Sequence, residues 1–187
     1  MPTNPNTSCF PSVIIVGRNR VGKSTAAEYL SQRMDLPVVE LGTLVRAAQA
    51  HDCTLSRDTN RAFCELRDRF GSELVVTWVL EAGISAKSPG IIVGVRDIDS
   101  FRGLSKSLPG SVVLAVSAPM ALRLTRPQRG SITKAHLITT DRIHESWGLG
   151  SIIAAASLYV DNSSSLFDFF GQLNALLPDM GCRHLFD

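Results

Sequence analysis

Short apolar runs alternate with longer amphipathic stretches along this chain. The first run, Val13 to Val16, consists of β-branched residues, which is typical of a buried strand. Comparable runs occupy residues 37–40, 91–93, 112–116 and 158–160. Because an amphipathic stretch separates each run from the next, the pattern predicts strand–helix–strand units. The predicted fold class is α/β: a three-layer α/β/α domain with a five-stranded parallel sheet.

The stretches between the apolar runs have the composition of helices. Pro119 suits the first turn of a helix, and the pair Thr140-Asp141 has the residue types of a helix start. The predicted helices lie at about 23–34, 42–50, 59–70, 72–84, 100–107, after 119, after 140 and at 165–177. Residues 1–12 are polar and contain Pro, so they are predicted to form a flexible lead before a domain that spans 13–187.

Length, charge and cysteine usage exclude several classes of protein. With 187 residues, 44% of them hydrophobic, the chain can bury the core of one domain without disulfides. Its formal net charge of +2 is too small for a general nucleic-acid coat. The chain shows neither a signal-peptide pattern nor an apolar run of membrane-spanning length, so we expect a cytoplasmic protein with no membrane partner. The four cysteines have no metal-binding spacing and are expected to be free thiols.

A phosphate-binding motif follows the first predicted strand. The segment Gly17-x4-Gly22-Lys23-Ser24 matches the complete Walker A pattern. In such loops, glycines let backbone N–H groups approach the phosphates, the lysine faces the β- and γ-phosphates, and the hydroxyl binds Mg²⁺. ATP and Mg²⁺ are therefore the expected cofactors, with Ser24 as the metal ligand and Lys23 as a catalytic residue. The predicted ATP-binding residues of the loop are Gly17, Asn19, Val21, Gly22, Lys23, Ser24 and Thr25.

Other classes of P-loop protein carry motifs that this chain lacks. It has no Asn-Lys-x-Asp for guanine, no Asp-x-x-Gly after the third strand and no LSGGQ segment. Instead, strand two leads from Glu40 to Arg46, and strand three ends in Gly94-x-Arg96. Both segments are similar to the acceptor-binding segments of P-loop nucleotide kinases, the adenylate kinases and their relatives. The resemblance implies that both arginines bind an acceptor phosphate among helices at about 42–86.

Two later segments extend the resemblance. Arginines recur at every third position from Arg123 to Arg129, beside Pro127 and Gly130, as in a phosphate-gripping lid at about 123–140. The segment from Asp141 to Glu145 resembles the post-lid helix of dephospho-CoA kinases and of an archaeal nucleotide-kinase-like family. This likeness implies that arginines close on the transferring phosphoryl group. The implied catalytic arginines are Arg126, Arg129 and Arg142. Asn162 occupies the exit loop after strand five, which in such kinases lies near the adenine.

The chain departs from these kinases at the end of strand three. Relatives commonly have Asp-Gly there, and the carboxylate orients Mg²⁺ through water, whereas this chain has Val93-Gly94. Asp97 and Asp99 lie just beyond and are candidates to replace the missing carboxylate, with helix capping as the other interpretation. Glu40 is a further candidate, either as a base for an acceptor hydroxyl or for metal-bound water. The candidate acceptor-binding residues are thus Glu40, Arg46, Arg96 and Asp97.

The resulting hypothesis is an ATP-dependent kinase with a nucleotide-like acceptor, first of all a nucleoside monophosphate, including deoxy or modified ones. The alternatives are a dephospho-CoA kinase-like enzyme, a kinase of hydroxymethylated pyrimidine in DNA like some phage-encoded relatives, and a non-catalytic nucleotide-binding sensor or partner. The histidines receive no role, and Trp147 is interpreted as a packing residue. The sequence leaves the oligomeric state open between monomer and homodimer.

Overall fold

Five parallel strands form the centre of the computed structural model, which describes residues 10–126 and 133–181. The strands are β1 (Val13–Val16), β2 (Val38–Glu40), β3 (Ile91–Val93), β4 (Val112–Ser117) and β5 (Leu158–Asp161). Their order in the sheet is β2-β3-β1-β4-β5, and every neighbouring pair is parallel. The predicted α/β/α class and the five-stranded parallel sheet are therefore confirmed.

Nine α-helices connect or flank these strands within the described part of the chain. They are α1 (Lys23–Met34), α2 (Leu41–His51), α3 (Thr59–Phe70), α4 (Leu74–Glu81), α5 (Ile98–Ser107), α6 (Met120–Thr125), α7 (Lys134–Ser146), α8 (Leu149–Ala154) and α9 (Leu166–Leu176). A short 3₁₀ turn, Pro178–Met180, follows the last helix. None of the helices between residues 10–126 and 133–181 has the length and apolar character needed to cross a membrane.

The sheet is covered on both faces, which explains why β1, β3 and most of β4 are apolar at successive positions. Successive side chains of β1 point to opposite faces. Val13 and Ile15 pack with α1 and α9 on one face, whereas Ile14 and Val16 pack with α4, α5 and α8 on the other. A smaller apolar cluster joins α2 and α3 beside the sheet and includes Val45. Strands buried on both faces read as continuous hydrophobic runs, which is how they appear in the sequence.

Two boundaries after β4 differ from the sequence prediction. The helix expected to start at Thr140 starts at Lys134, where the Thr133 hydroxyl accepts a hydrogen bond from the backbone N–H of His136 at 3.1 Å. Thr140 and Asp141 are buried in the middle of that helix, so a polar pair that resembles a cap belongs to the protein interior. Helix α8 was not predicted at all.

Residues at the start of the described chain are tied into the sheet. Phe10 packs against the core, and Ser12 is buried. The Ser12 carbonyl accepts a hydrogen bond from the N–H of Val112 at 2.8 Å, and its hydroxyl accepts one from the N–H of Gly90 at 3.2 Å. The end of the predicted lead therefore belongs to the fold, while residues 1–9 lie outside the described part.

Parallel strands bring their carboxyl ends to one edge of the sheet, and this edge carries the chemistry. Strand β1 ends in the Walker A loop, β2 ends at Glu40, β3 is followed by Gly94 and Arg96, and β5 is followed by Asn162. Residues far apart in the chain consequently meet at this edge, such as Asn162, whose side-chain amide donates to the Val21 carbonyl.

Candidate active site

One pocket at the carboxyl edge of the sheet brings together most of the predicted site residues, and we call it the P-loop pocket. It is lined by Asn19, Arg20, Gly22, Lys23, Ser24, Thr25, Glu40, Gly42, Val93, Gly94, Arg96 and Arg126. It therefore unites predicted ATP-binding residues with the predicted acceptor residues Glu40 and Arg96. Four of its lining residues, Arg20, Gly42, Val93 and Gly94, were not predicted as site residues.

The conformation of the Walker A loop requires both of its glycines. Gly17 has a φ of 140°, and a Cβ atom there would overlap the carbonyl oxygen of Val116. Gly22 has a φ of 102° and is the N-cap of α1, and a Cβ there would overlap the side-chain amide of Asn162. The loop thus folds over the sheet with its backbone close to neighbouring atoms, and it presents the N-terminus of a 12-residue helix to a bound anion.

Lys23 lies at the first position of α1, and both arginines and carboxylates act on its side chain. Its Nζ donates hydrogen bonds to the carbonyl oxygens of Gly17 at 2.9 Å and Arg18 at 2.7 Å. Burial, together with the positive charges of Arg96 and Arg123, lowers the pKa of Lys23 to about 7, although Glu40 and Asp141 act in the opposite direction. A polyanion next to Nζ would favour the charged form. The pocket is therefore electrostatically suited to a phosphate chain.

Ser24 and Glu40 provide two neighbouring oxygen atoms that could bind a divalent cation. The Ser24 hydroxyl donates to Glu40 Oε1 at 3.2 Å, and both residues line the P-loop pocket. Oxygen ligands of this kind, together with phosphate oxygens and water, are what Mg²⁺ prefers. Val93, which ends strand β3, lines the pocket, and Asp97 is not among the lining residues. Within residues 10–126 and 133–181, no group of three His, Cys, Asp or Glu side chains is arranged to hold a metal ion.

Arg96 is held in place by two residues to which the sequence analysis gave no role. Its Nη1 donates to Oδ1 of Asn60 at 2.8 Å and lies 3.2 Å from Nε2 of His144. Burial, together with the charges of Arg96 and Lys23, lowers the pKa of His144 to about 3. His144 is therefore neutral at physiological pH and does not add a charge beside Arg96. Three helices, α4, α5 and α6, lie between Asn60 and His144 in the sequence, so no local pattern could have revealed this contact.

Arg46 lies at the same end of the pocket as Arg96. A Cβ atom at Gly42 would lie 3.4 Å from Nη1 of Arg46 and 4.0 Å from Nη2 of Arg96, so the two guanidinium groups flank this glycine. Arg46 is exposed and its Nη2 donates to the Thr43 hydroxyl at 2.8 Å. Two guanidinium groups around one small residue form a fork-like arrangement that can bind phosphate oxygens.

Arg126 and Asn162 form hydrogen bonds with the backbone of the Walker A loop. Arg126 donates to the carbonyl oxygens of Arg20 at 2.8 Å and Asn162 at 2.6 Å. The Asn162 amide donates to the carbonyl of Val21 at 2.9 Å, and Arg20 donates back to the carbonyl of Arg126. Both predicted residues thus contact the loop in this structure, and Arg126 also lines the pocket.

Arg123 differs from its predicted place among the lid arginines because it is buried. Its two terminal nitrogens donate to the two carboxylate oxygens of Asp141, at 2.8 Å and 2.7 Å, and its Nε donates to the Asn19 carbonyl at 2.7 Å. Only 2% of the Arg123 side chain is exposed. Arg123 therefore stabilises the Walker A loop through its hydrogen bond to the Asn19 carbonyl. The spacing of three residues in the sequence does not distinguish this buried arginine from the exposed ones.

Asp97 was predicted to bind the acceptor, and the structure places it at the start of α5. Its Oδ1 accepts a hydrogen bond from the backbone N–H of Ser100 at 2.9 Å, so it caps the helix, which is the alternative interpretation of the sequence. It does not line the P-loop pocket. It lines a second, narrower pocket that shares Gly42, Gly94 and Arg96 with the first.

The remaining predicted residues lie elsewhere or outside the described chain. Arg142 is exposed on α7 and lines a surface depression with Arg18 and Glu145, not the P-loop pocket. Asp99 is exposed and lies 3.5 Å from Arg102. Arg129 and residues 127–132 of the predicted lid segment (123–140) lie outside the described residues.

Comparisons with known proteins agree with the fold and leave the activity open. No family model matches the chain. It is 28% identical to a UPF0200/UPF0201 protein of Archaeoglobus fulgidus over 88% of its length, and it spans 54% of that relative. A UPF0200 protein of Methanosarcina barkeri is also 28% identical, over 82% of this chain and 87% of the relative. These names state no activity.

Solved structures with a similar fold include P-loop kinases. A gluconokinase of Sinorhizobium meliloti superposes with a TM-score of 0.62 and 14% identity, over 95% of this chain and 97% of the other. A shikimate kinase of Bacteroides thetaiotaomicron superposes with a TM-score of 0.62 and 12% identity, over 91% and 98%. At such low identity the likeness shows the fold alone. The chain has a P-loop kinase-like fold.

Proposed function

We propose that this chain is an ATP-dependent phosphotransferase whose acceptor is a phosphate-bearing, nucleotide-like molecule. The observation that carries the proposal is the composition of the P-loop pocket. A complete Walker A loop with Lys23 and Ser24 faces the same pocket as Arg96, and Arg46 lies beside Arg96 at Gly42. One end therefore suits the phosphates of a donor, and the other end suits the phosphate of a second molecule.

In the proposed reaction the acceptor oxygen attacks the γ-phosphorus of ATP in line with the leaving group. The new bond forms between that oxygen and phosphorus while the bond to the β–γ bridging oxygen breaks, and ADP leaves with the electron pair. Lys23 and Arg126 stabilise the charge that spreads over the phosphoryl oxygens. Arg46 and Arg96 hold the acceptor phosphate, and Asn162 with Arg126 keeps the loop in its binding conformation.

Glu40 is proposed to compensate for the carboxylate that Val93 replaces. Its hydrogen bond with Ser24 places a negative charge next to the hydroxyl that would bind the metal. Bound Mg²⁺ would neutralise developing charge on the phosphate oxygens. Glu40 would orient metal-bound water, and with a hydroxyl acceptor the same carboxylate would take up the proton.

A second candidate function follows from Val93. Because an apolar side chain lines the pocket where related kinases carry a carboxylate, the chain could bind ATP as a sensor or partner without transferring phosphate. The two functions share the nucleotide site and differ only in turnover. Tight ATP binding without any acceptor-dependent turnover would favour the sensor.

The experiment that tests the proposal measures ATP consumption with Mg²⁺ against a panel of acceptors. The panel contains ribo-, deoxy- and modified nucleoside monophosphates, dephospho-CoA and hydroxymethylated DNA. We expect one class of acceptor to stimulate turnover, and Lys23→Ala to abolish it. Lys87→Ala, which removes an exposed lysine outside the pocket, is the matched control and should leave turnover unchanged. Full activity of Lys23→Ala would refute the proposal.

A further inference from the structure

Two arginines at the site have opposite electrostatic surroundings. The buried guanidinium of Arg123 is paired with the Asp141 carboxylate through two hydrogen bonds. Arg96 is also withdrawn from water, and burial lowers its pKa. None of the ion pairs formed within residues 10–126 and 133–181 includes Arg96. Because a charge removed from water is costly without compensation, Arg96 is a favourable partner for an anion.

Two carboxylates influence Arg96 without pairing with it. Glu40 and Asp58 both favour its charged form and raise its pKa, whereas Arg46 lowers it. Glu40 accepts the hydrogen bond of the Ser24 hydroxyl, and Asp58 caps the first turn of α3. Neither carboxylate contacts the guanidinium directly, so a ligand would supply the first close negative charge.

The hydrogen bonds of Arg96 involve uncharged groups only. Its Nη1 donates to Oδ1 of Asn60 and lies beside Nε2 of His144, which is buried and neutral. In the part of the chain that the structure describes, Nη2 and Nε of Arg96 form no hydrogen bond. Nη2 lies beside Gly42, and both residues line the P-loop pocket. An amide and a neutral imidazole thus hold one nitrogen of the guanidinium and leave another for a ligand.

The three contacting atoms also define which nitrogen of His144 carries its hydrogen. Oδ1 of Asn60 lies 2.8 Å from Nη1 of Arg96 and 3.0 Å from Nε2 of His144. A carbonyl oxygen accepts hydrogen bonds through two lone pairs, so it can accept from both nitrogens when Nε2 is protonated. A bare Nε2 would instead direct its lone pair at that oxygen. The geometry therefore favours the Nε2–H form of neutral His144, with Asn60 as the shared acceptor.

Aromatic packing holds the two helices that carry this amide and this imidazole. Phe63 follows Asn60 by three residues on α3, and Trp147 follows His144 by three residues at the end of α7. The Trp147 ring centroid is 5.9 Å from that of Phe63 and 5.4 Å from that of His144. The Trp147 carbonyl also accepts a hydrogen bond from the N–H of Ile98 at 3.0 Å. Packed elements therefore hold Asn60 and His144, as accurate placement of a guanidinium requires.

We propose that Asn60 and His144 are positioning residues of the acceptor site, and we call the pair the neutral clamp. Oδ1 of Asn60 accepts from Arg96 and from Nε2–H of His144, which fixes the guanidinium without neutralising it. The inference rests on the proposed function and deepens it, because the uncompensated charge of Arg96 is assigned to the anionic group of the acceptor. A carboxylate at position 60 would hold the guanidinium equally well but would satisfy its charge within the protein. The site consequently takes a compact anion such as phosphate.

The first measurement is the binding of inorganic phosphate to the full chain, which needs no turnover. A non-hydrolysable ATP analogue and Mg²⁺ are present at saturating concentration, so that phosphate does not compete for the Walker A loop. Binding is followed through the ¹⁵N–¹H signals of the arginine side chains. Arg96→Ala identifies the Arg96 signal and the part of the binding that depends on this residue. We expect wild type to bind phosphate at Arg96.

Asn60→Asp separates a neutral clamp from a purely structural contact. The new carboxylate still accepts from Arg96 and His144, but it pairs with the guanidinium. We therefore expect the Arg96-dependent affinity for phosphate to fall about tenfold or more while the chain stays folded. A structural contact would be preserved, and the affinity would not change. Asn174→Asp adds the same charge on α9, outside the pocket, and is the matched control.

Substitutions of His144 test the donor. His144→Gln keeps an N–H group that can donate to Asn60 and should bind phosphate nearly as wild type does, whereas His144→Leu should bind it about threefold more weakly or worse. His136→Leu removes an exposed histidine of the same helix and is the control. The ¹⁵N chemical shifts of the His144 ring should show a protonated Nε2 at neutral pH. A bare Nε2, or equal affinities of His144→Leu and wild type, would overturn the inference.

Phosphate binding and turnover together distinguish this inference from the kinase proposal. Wild type without Arg96-dependent phosphate binding, or unchanged affinity in Asn60→Asp, refutes the neutral clamp even if ATP-dependent transfer is normal. The predicted loss in Asn60→Asp without any acceptor-dependent turnover supports the clamp and refutes the kinase. With turnover present, Asn60→Asp should raise the KM of the acceptor and change kcat little, and an unchanged KM would contradict the clamp.

Discussion

Arg123 and Asp141 form a buried ion pair with two hydrogen bonds, whose nitrogen–oxygen distances are 2.8 Å and 2.7 Å. The same guanidinium donates through Nε to the carbonyl of Asn19 in the loop. One side chain therefore links helix α7 to the phosphate-binding segment. The conformation of the loop depends on a residue that itself does not line the pocket.

Removing the charge of Asp141 should destabilise the protein. In Asp141→Asn the guanidinium of Arg123 remains buried without its counter-charge, and breaking such a pair costs about 3–5 kcal/mol in free energy of unfolding. Arg102→Ala removes the exposed pair with Asp99 and should cost less than about 1 kcal/mol. Urea denaturation measures both values. Equal effects of the two substitutions would show that the buried pair has no special role.

Substituting Gly22 should impair ATP binding more than folding. Gly22→Ala introduces a Cβ that overlaps the Asn162 amide and that opposes a φ of 102°. We expect the affinity for ATP to fall by about tenfold or more, equivalent to at least about 1.4 kcal/mol. The control is Gly110→Ala, which also has a positive φ of 78° but no atom within 4 Å of the added Cβ. Calorimetric titration should show wild-type affinity for this control.

Binding of ATP should be accompanied by proton uptake near pH 8. Burial lowers the pKa of Lys23 to about 7, so this side chain is mostly neutral at pH 8 before ATP binds. The triphosphate favours the ammonium form and raises that pKa, so binding takes up close to one proton. His144, with a pKa lowered to about 3, does not contribute at this pH.

The proton uptake is measured by titration calorimetry in two buffers that differ in ionisation enthalpy. The same coupling predicts that the affinity for ATP decreases as the pH rises above the pKa of Lys23 in the protein without ATP, which is about 7. Above that pH Lys23 is mostly neutral, and ATP binding must then include the protonation of the lysine. Lys23→Met should remove the buffer dependence. The same apparent enthalpy for wild type in both buffers would contradict this assignment.

Glu40 should be needed for efficient use of Mg²⁺. Glu40→Gln retains a hydrogen-bonding partner for Ser24 and removes the negative charge, so we expect metal affinity or turnover to fall by about 10- to 100-fold. ATP binding without metal should change little. The control is Asp99→Asn, which neutralises an exposed carboxylate at the start of α5. Turnover as a function of Mg²⁺ concentration distinguishes the variants, and equal curves for Glu40→Gln and wild type would exclude the role.

The sequence predicted the features that depend on local patterns. Apolar runs buried on two faces identified the strands, and the Walker A spacing identified the loop and the start of α1, since these signals lie within a few consecutive residues. The parallel sheet follows from such units, whereas the order of the strands was not predicted. Thr140-Asp141 misled the helix prediction because a polar pair in a buried ion-pair network looks the same in sequence as a cap.

The parts that the sequence did not reveal depend on contacts between distant segments. Asn60 and His144 meet at Arg96 from helices α3 and α7, and Arg123 of α6 donates to the Asn19 carbonyl of the Walker A loop. A sequence pattern shows which residues share an element but not which elements face each other. The role of Asp97 illustrates the same limit, because the sequence pattern fits both acceptor binding and helix capping and only the fold identifies the cap.

The most direct test of the proposed transfer follows the labelled γ-phosphoryl group of ATP in the presence of nucleoside monophosphates and the other acceptors. Wild-type protein and Arg96→Ala would be compared, with Arg102→Ala as a control for the loss of an arginine. The account predicts label in the acceptor with wild type and the control, and a strongly raised acceptor KM in Arg96→Ala. Label released only as inorganic phosphate, or ATP bound without any transfer, would contradict the account.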